Sequence, residues 1–568
     1  MKISFFGAAR CVTGSCHMLS TARSTVLIDC GMRQGEDAKG EYGNEAFPFD
    51  PRSVQAVLIT HAHIDHSGLL PLLVKRGFTG AILTTDATAQ LSTIMLPDSA
   101  HIQEQEAEWQ NRKNERAGKA PVEPLYTQAD VENTLKLMRG VEYEQKIQLC
   151  DDITVRFTDM GHLLGSAAIE IWVREDGKTQ KVVFSGDVGR DDRPILCDPQ
   201  DIDEADYLVM ESTYGDRLHD LSTNEEKETE LEHVLTKAIA RGGNIVIPSF
   251  AVGRTQEMLY YIKRLLKKGS VPGLERVPVY IDSPLGINAT RVDERCAEGY
   301  YDENTKALAA DGSPFDFPTL VIAQSSDESK LINTDRAQKI IISSSGMCDA
   351  GRIRHHLKHN LFRADSTIVF AGYQAIGTLG RALTDGVKKV KLFGEDVRVN
   401  ADIVQIDGFS GHADKDELIA WAQAITPKPH RIFLVHGEDS AIEALRDALV
   451  SLGQDVAVPA IGDTFELAPS AAPAKKRAGK KPAKAPAGVS PVRPTEAPAP
   501  LPAVPTPDAD VLPLSSTLAG ADATAQMHRI EALIVRCAER RSADMELLRA
   551  VFEADLASLA DKWERIIK

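Results

Sequence analysis

Thr60-His61-Ala62-His63-Ile64-Asp65-His66-Ser67-Gly68 constrains the chain more than any other stretch. It follows the apolar run Ala56 to Thr60, which reads as a buried strand, and precedes Leu69 to Leu73, which reads as the start of a helix. Three imidazoles and a carboxylate within six positions suit the nitrogen and oxygen ligands of zinc. Beside a buried strand, that many polar groups are costly unless a cation pairs with them. His61 and His63 point the same way if the chain stays extended, and Asp65 and His66 can turn toward a neighbouring position.

Four ligands from one short segment rarely close a metal sphere, so others should come from other strand ends. Asp159 to Ser166 offers His162 in a glycine-flanked loop, and Ser185 to Arg190 offers Asp187 directly after the run Lys181 to Ser185. Together with the first motif they complete a three-histidine site and add a carboxylate able to bridge two ions. Ser24 to Ile28 ends at Asp29, and Tyr207 to Met210 ends at Glu211, in the same strand-then-polar pattern. Residues 98 to 116 read as a charged, exposed helix.

From about 212 to 400 helices and strands alternate: 225–240, 244–248, 255–268, 277–281, 339–342 and 367–370. That rhythm predicts a parallel sheet with crossover helices, inserted as a second domain. Residues 402 to 467 return to strand, motif, helix and strand. Residues 468 to 520 are rich in Ala, Pro and Lys and read as a linker. Apolar spacing resumes at 523 to 568 as a helical hairpin, a dimerisation helix or a segment docked on its own core.

The formal charge of −17 argues against a nonspecific nucleic-acid coat, but a metal centre requires carboxylates and net charge does not describe a cleft. Six bases (Lys475, Lys476, Arg477, Lys480, Lys481 and Lys484) lie in the linker, either to contact phosphates or as part of a soluble tether. The eight cysteines form no Cys-x-x-Cys pair, and the spacing of Cys11, Cys16 and Cys30 fits no common zinc pattern. An apolar run long enough for a membrane span is lacking, as is a secretory leader at Met1 to Gly7, so no membrane partner and a cytoplasmic location are expected.

The ordered set Asp29, His61 to His66, His162 and Asp187 resembles the metallo-β-lactamase fold. Glu211-Ser212-Thr213-Tyr214-Gly215, Phe409 to Asp414 and Val435-His436-Gly437-Glu438 resemble the β-CASP nucleases, and within them the RNA-processing endonuclease of the cleavage and polyadenylation specificity factor and its prokaryotic relatives. The resemblance covers about residues 1 to 467. It implies an α/β fold, with a metallo-β-lactamase αββα sandwich in two parts (1–210 and 402–467). A parallel-sheet β-CASP domain (211–401) is inserted between them, and a linker (468–522) and a small C-terminal helical segment (523–568) follow.

The resemblance also implies two Zn2+ per chain. His61, His63 and His162 would hold one, and Asp65, His66 and His436 the other, with Asp187 bridging and Asp29 orienting ligands behind them. His412 would be the general acid, oriented by Glu211. A histidine at position 436 resembles the RNA-directed members, whereas DNA-repair relatives commonly lack it. The chemistry agrees: two ions about 3.5–4 Å apart activate a water for in-line attack on phosphate, Asp65 or Asp187 can take up or orient its proton, and a sugar alkoxide leaves only with a proton donor opposite.

Ser249 to Arg254, Ser344-Ser345-Gly346 and the loop carrying Tyr373, Gly377, Thr378 and Arg381 are candidate phosphate or RNA contacts, since helix N-termini and glycine loops favour anions. Tyr373 either stacks on a base or packs across the cleft. No G-x-x-x-x-G-K-[ST] loop occurs, so no nucleotide cofactor is expected. The expected activity is an RNA endonuclease acting on single-stranded or locally unpaired RNA, leaving 3′-hydroxyl and 5′-phosphate ends, as a monomer or homodimer. Ile64 and Ser67-Gly68 resemble the endonuclease branch. A 5′-to-3′ exoribonuclease is the nearest alternative; a DNA nuclease, a small-molecule hydrolase and a non-catalytic RNA-binding subunit are further ones.

Overall fold

The computed structural model describes residues 1–468 apart from 36, 40–42, 220–222, 311 and 376. The expected linker, save Ala468, and the C-terminal helical segment lie outside the described residues.

The short apolar runs become strands of three sheets. The first contains β1 (Lys2–Gly7), β2 (Cys16–Ser20), β3 (Thr25–Ile28), β4 (Ala56–Leu58), β5 (Ala81–Thr85) and β6 (Met138–Val141). The second contains β7 (Ile147–Cys150), β8 (Ile153–Asp159), β9 (Ala167–Glu175), β10 (Lys178–Phe184) and β11 (Tyr207–Glu211). The chain then builds a six-stranded sheet from β12 (Ile245–Pro248), β13 (Val279–Ile281), β14 (Leu320–Ile322), β15 (Ile340–Ser343), β16 (Thr367–Ala371) and, past a hairpin of β17 (Lys389–Leu392) and β18 (Glu395–Arg398), β19 (Asp402–Ile406). Finally β20 (Arg431–Val435) and β21 (Val456–Ala457) return to the second sheet, and β22 (Thr464–Glu466) pairs antiparallel with β1. The third sheet has the order β14-β13-β15-β12-β16-β19 and every pairing in it is parallel. It runs on to Ile406, beyond the expected limit at 401.

Period-two alternation sorts the strand residues into layers. Ile3, Phe5, Leu19, Val26 and Leu58 of the first sheet meet Val155, Phe157, Ile171, Phe184 and Phe433 of the second in one core. The opposite faces are covered by helices. Leu70, Leu73, Leu96 and Ala100 lie over the first sheet, and Leu418, Trp421, Leu445 and Leu449 over the second. The result is an αββα sandwich. The third sheet is apolar on both faces: Ile245, Ile247, Val279 and Ile342 pack one way, Val246, Ile341, Ile368 and Phe370 the other. Burying each such side chain is worth about 1.5–3 kcal/mol, so packing, more than local propensity, fixes where the strands end.

Helix Asp86–Arg116 is longer than the charged segment suggested. Its first half, from a Thr85 N-cap through Leu91, Met95 and Leu96, is buried, and Pro97 is accommodated inside it. Among the described residues no helix is long and apolar enough to cross a membrane.

The topology brings several strand ends to one place. β3 and β4 are parallel neighbours in the first sheet; β10, β11 and β20 are parallel neighbours in the second. The residues just past the carboxyl ends of these five strands face one another across the sandwich edge.

Candidate metal centre

Asp29 follows β3, His61 and His63 follow β4, Asp187 follows β10, Glu211 ends β11 and His436 follows β20. Asp65 and His66 lie in the short helix Ile64–Ser67, and His162 lies in the loop between β8 and β9. His412 precedes helix Lys415–Ala424, which Asp414 caps by accepting from the backbone N–H groups of Asp416 and Glu417. A backbone bond from Ala413 N–H to the Val188 carbonyl, 2.8 Å, fastens the His412 loop beside Asp187.

These residues form three adjoining groups. In the first, His61 Nε2 lies 3.0 Å from His63 Nδ1, and His162 Nε2 lies 3.4 Å from the same atom. Asp187 Oδ2 is 3.5 Å from both His61 Nε2 and His162 Nε2. In the second, His66 Nε2 is 3.1 Å from His436 Nε2 and 3.3 Å from Asp187 Oδ1, and His436 Nε2 is 3.6 Å from Asp65 Oδ2. Tetrahedral zinc with bonds near 2.0–2.1 Å sets its ligand atoms about 3.3–3.4 Å apart, so both groups have the spacing of a filled shell. Asp187 turns one oxygen to each group. Its buried Oδ1 accepts no hydrogen bond, although two imidazole nitrogens lie within 3.6 Å. Buried carboxylate oxygens are costly when unpaired, and a cation on each side supplies what the protein does not.

In His61, His66, His162 and His436 the opposite ring nitrogen is engaged by the protein, which selects the nitrogen left for a metal. His66 Nδ1 is 2.7 Å from Asp29 Oδ2, and Asp29 also accepts from Ser15 Oγ and from the N–H and hydroxyl of Thr60. His162 Nδ1 donates to the Gly411 carbonyl at 3.1 Å, and His436 Nδ1 lies 3.1 Å from Thr213 Oγ1. Asp29 and His436 hold positive φ angles of 58° and 53°. That strained backbone persists because the surrounding bonds over-determine it. Ser15, Thr60, Thr213 and the Gly411 carbonyl were not singled out from the sequence. The only hint in the sequence is that Thr60 directly precedes His61 and Thr213 stands two residues after Glu211.

Charge follows the same logic. Burial and the neighbouring histidines hold His61 and His162 well below the usual imidazole range. Burial opposes ionisation of Asp187, but His436, His66 and His61 outweigh it and hold its carboxyl well below the usual range. The first group therefore offers neutral imidazoles and an ionised carboxylate, the forms that bind divalent metal. His66 and His436 differ: burial works against their charge, yet Asp187 with Asp29 raises the first and Asp187 with Asp65 raises the second, so metal uptake there displaces protons.

The third group lies at the rim. His412 Nδ1 donates to Glu211 Oε1 at 3.2 Å and sits 3.9 Å from Asp187 Oδ2. Glu211 is buried and also accepts from the backbone N–H of Val188 and of Thr213. The His412 side chain is 21% exposed, the group of this trio that a substrate can reach. Burial lowers its pKa, but Glu211, Asp187 and Asp65 raise it further, to about 9.

The candidate phosphate contacts divide. Ser249 is fully buried with its backbone N–H on the Ser343 carbonyl, and Arg254 is turned inward to the Ala371 carbonyl and Glu257, so neither presents a free group to a ligand. Ser344 bonds Ser283, and Ser345 and Gly346 form the turn after β15. Thr378 caps helix Leu379–Thr384, Arg381 pairs with Asp385, Gly377 is exposed, and Tyr373 is exposed beside Arg217.

Comparison with known proteins matches three family models to the chain. Residues 9–230 match the metallo-beta-lactamase superfamily, residues 255–383 the Beta-Casp domain, and residues 396–459 the Zn-dependent metallo-hydrolase RNA specificity domain. Ribonuclease TTHA0252 of Thermus thermophilus is 37% identical over 465 residues, which is 82% of this chain and 99% of that protein. Transcription termination factor FttA of Methanosarcina mazei is 31% identical over 78% of this chain and 67% of its own length. An RNase J-like protein of Methanocaldococcus jannaschii is 31% identical over 77% of this chain and 92% of its own.

Proposed function

The chain belongs to the β-CASP family of RNA-processing nucleases on the metallo-β-lactamase fold, and from that premise we propose that it is a two-zinc endoribonuclease that leaves 3′-hydroxyl and 5′-phosphate ends. The observation that carries this reading is the single carboxylate, Asp187, shared by two groups of ligand spacing with the His412–Glu211 pair at their rim. His61, His63, His162 and Asp187 would hold one ion; Asp65, His66, His436 and Asp187 would hold the other. When bound, the two ions supply Lewis acidity toward phosphate and make a nearby water acidic enough to attack.

The chain's own groups do the rest. Asp187 stays ionised and keeps the two groups in register. Asp65, held down to about 2 by His436, His66 and His63 against the opposing effect of burial, is an anion at any working pH and can orient the attacking water. His412 gives its Nδ1 proton to the bond with Glu211, which leaves the Nε2 proton to be donated outward. As the water oxygen adds to phosphorus it passes a proton to Asp65, and as the bond to the 3′ oxygen breaks the His412 Nε2 proton passes to the departing alkoxide. Asp29, Thr60 and Thr213 orient the ligating rings from behind. The described cysteines are all free, which fits a reducing compartment and supports action in the cytoplasm.

A single-stranded RNA with its 5′ end blocked, assayed beside the matching DNA and with zinc content measured, tests the reading. Internal cuts in the RNA by protein carrying about two zinc ions are expected. Activity that vanishes on blocking the 5′ end makes the enzyme a 5′-to-3′ exoribonuclease instead, and preferential cutting of the DNA overturns the choice of substrate.

A further inference from the structure

Two large aromatic side chains remain in solvent at the strand ends of the third sheet. Phe250 is 48% exposed and Tyr373 is 36% exposed. They lie on the loops that follow β12 and β16, neighbouring parallel strands, at the same edge of the third sheet. Phe250 rests on Gly346 of the loop after β15, where a Cβ would come within 3.0 Å of its ring. Tyr373 faces the segment after β11. The guanidinium carbon of Arg217 lies 5.6 Å from the Tyr373 ring centroid and 5.4 Å from that of Tyr214. The Tyr214 ring in turn stands edge-on to His412 at 5.9 Å. This segment is fastened to the His412 loop by His219 Nε2 on the His412 carbonyl, 3.1 Å, and by Lys415 N–H on the Arg217 carbonyl, 3.1 Å.

Single exposed apolar residues are ordinary, and Leu331 and Trp109 elsewhere on this surface need no explanation. Phe250 and Tyr373 differ because they share one edge of a sheet, one of them is layered with an arginine, and that arginine leads through Tyr214 to the proton donor. A planar cation against aromatic rings is the arrangement that a nucleobase joins most readily, since every base has a π face. Paired RNA keeps its bases stacked on one another, so such a surface serves unpaired strands.

We infer that Phe250 and the Arg217–Tyr373 pair form a base-stacking platform, and that Tyr373 with Arg217 holds the base of the nucleotide whose 3′ oxygen departs. The inference deepens the ribonuclease reading and rests on it for direction: His412 marks the leaving-group side, and Tyr214 and Arg217 extend from His412. The nucleotide upstream of the cut is therefore the one that reaches Tyr373. Phe250, across Gly346, receives a further unpaired base of the same strand.

The test maps the cut in an unstructured RNA and then replaces the nucleotide just upstream of it by an abasic ribose. Tyr373→Ala and Arg217→Ala should each lower kcat/KM on intact RNA by about 5- to 150-fold. On the abasic RNA the wild type should already have lost that factor, and the variants should lose little more. An equal loss on both RNAs overturns the inference, because it assigns the residues a purely structural part. Unchanged kcat/KM on intact RNA overturns it as well. If the wild type leaves intact RNA uncut, the ribonuclease reading fails separately, and binding then decides the platform. RNA carrying 2-aminopurine should lose fluorescence on binding the wild type and keep it with Tyr373→Ala and Phe250→Ala; quenching that survives both substitutions overturns the platform.

Discussion

The charge of His412 depends chiefly on its neighbour Glu211. Burial alone would keep it neutral; Glu211, 3.2 Å away, leads the groups that bring its pKa to about 9. A proton donor fails once pH passes its pKa, so activity should fall on the alkaline side. Glu211→Gln keeps the shape and removes the charge, so the alkaline limb of the kcat/KM profile should move down by about one to two pH units. An unmoved limb would show that another group sets it. His412→Ala should slow cleavage by about 10²–10⁴-fold with zinc content intact; loss of zinc with the activity would make His412 a ligand instead. Thr213 works one step further back, on the Nδ1 side of His436. Thr213→Val should weaken metal retention by about 10- to 100-fold in a chelator competition while leaving the fold unchanged by circular dichroism.

Among elements, helix Pro284–Arg295 carries a buried carboxylate that the metal centre does not use. Burial raises Asp293 to about 7, with the neighbouring Tyr301 working in the opposite direction. An unfolded aspartate ionises near pH 3.9, so between that pH and about 7 the folded state keeps a proton that the unfolded state releases. Stability should therefore decline as pH rises through this window, by roughly 2–4 kcal/mol from this group. Asp293→Asn should remove that decline, its Tm exceeding that of the wild type at pH 8 and matching it near pH 4. A constant difference at both pH values would contradict the assignment. The elements also show what the sequence could and could not carry. His61 to His66 is legible because its chemistry is packed into six residues, and Asp187 and His436 because each directly follows an apolar run. The partners of the rings are not legible, since the Gly411 carbonyl reaches His162 across 249 positions. Ser249 and Arg254 looked available from loop composition, which says that the chain turns but not which way a side chain goes. Glu257 and the Ala371 carbonyl draw Arg254 inward.

For the whole molecule, the proposed metal centre would clasp two sheets together, since its residues come from the ends of β4, β8, β10 and β20. A ligand that binds only the folded state stabilises it by mass action, so a strong chelator should lower the thermal midpoint by several degrees, and added zinc should restore it. A midpoint indifferent to both would mean that the two sheets need no cation to stay closed. The pairing of β11 with β20, whose facing ends Glu211 and Val435 are far apart in the chain, also has a consequence in time. Synthesis proceeds at about 5–20 residues per second, so roughly 10–45 s separate the emergence of Glu211 from that of His436. Throughout that interval the growing polypeptide lacks the last ligand of its second group. The order of the residues along the chain alone thus delays the assembly of a cutting site until the segment between Glu211 and His436 has been made.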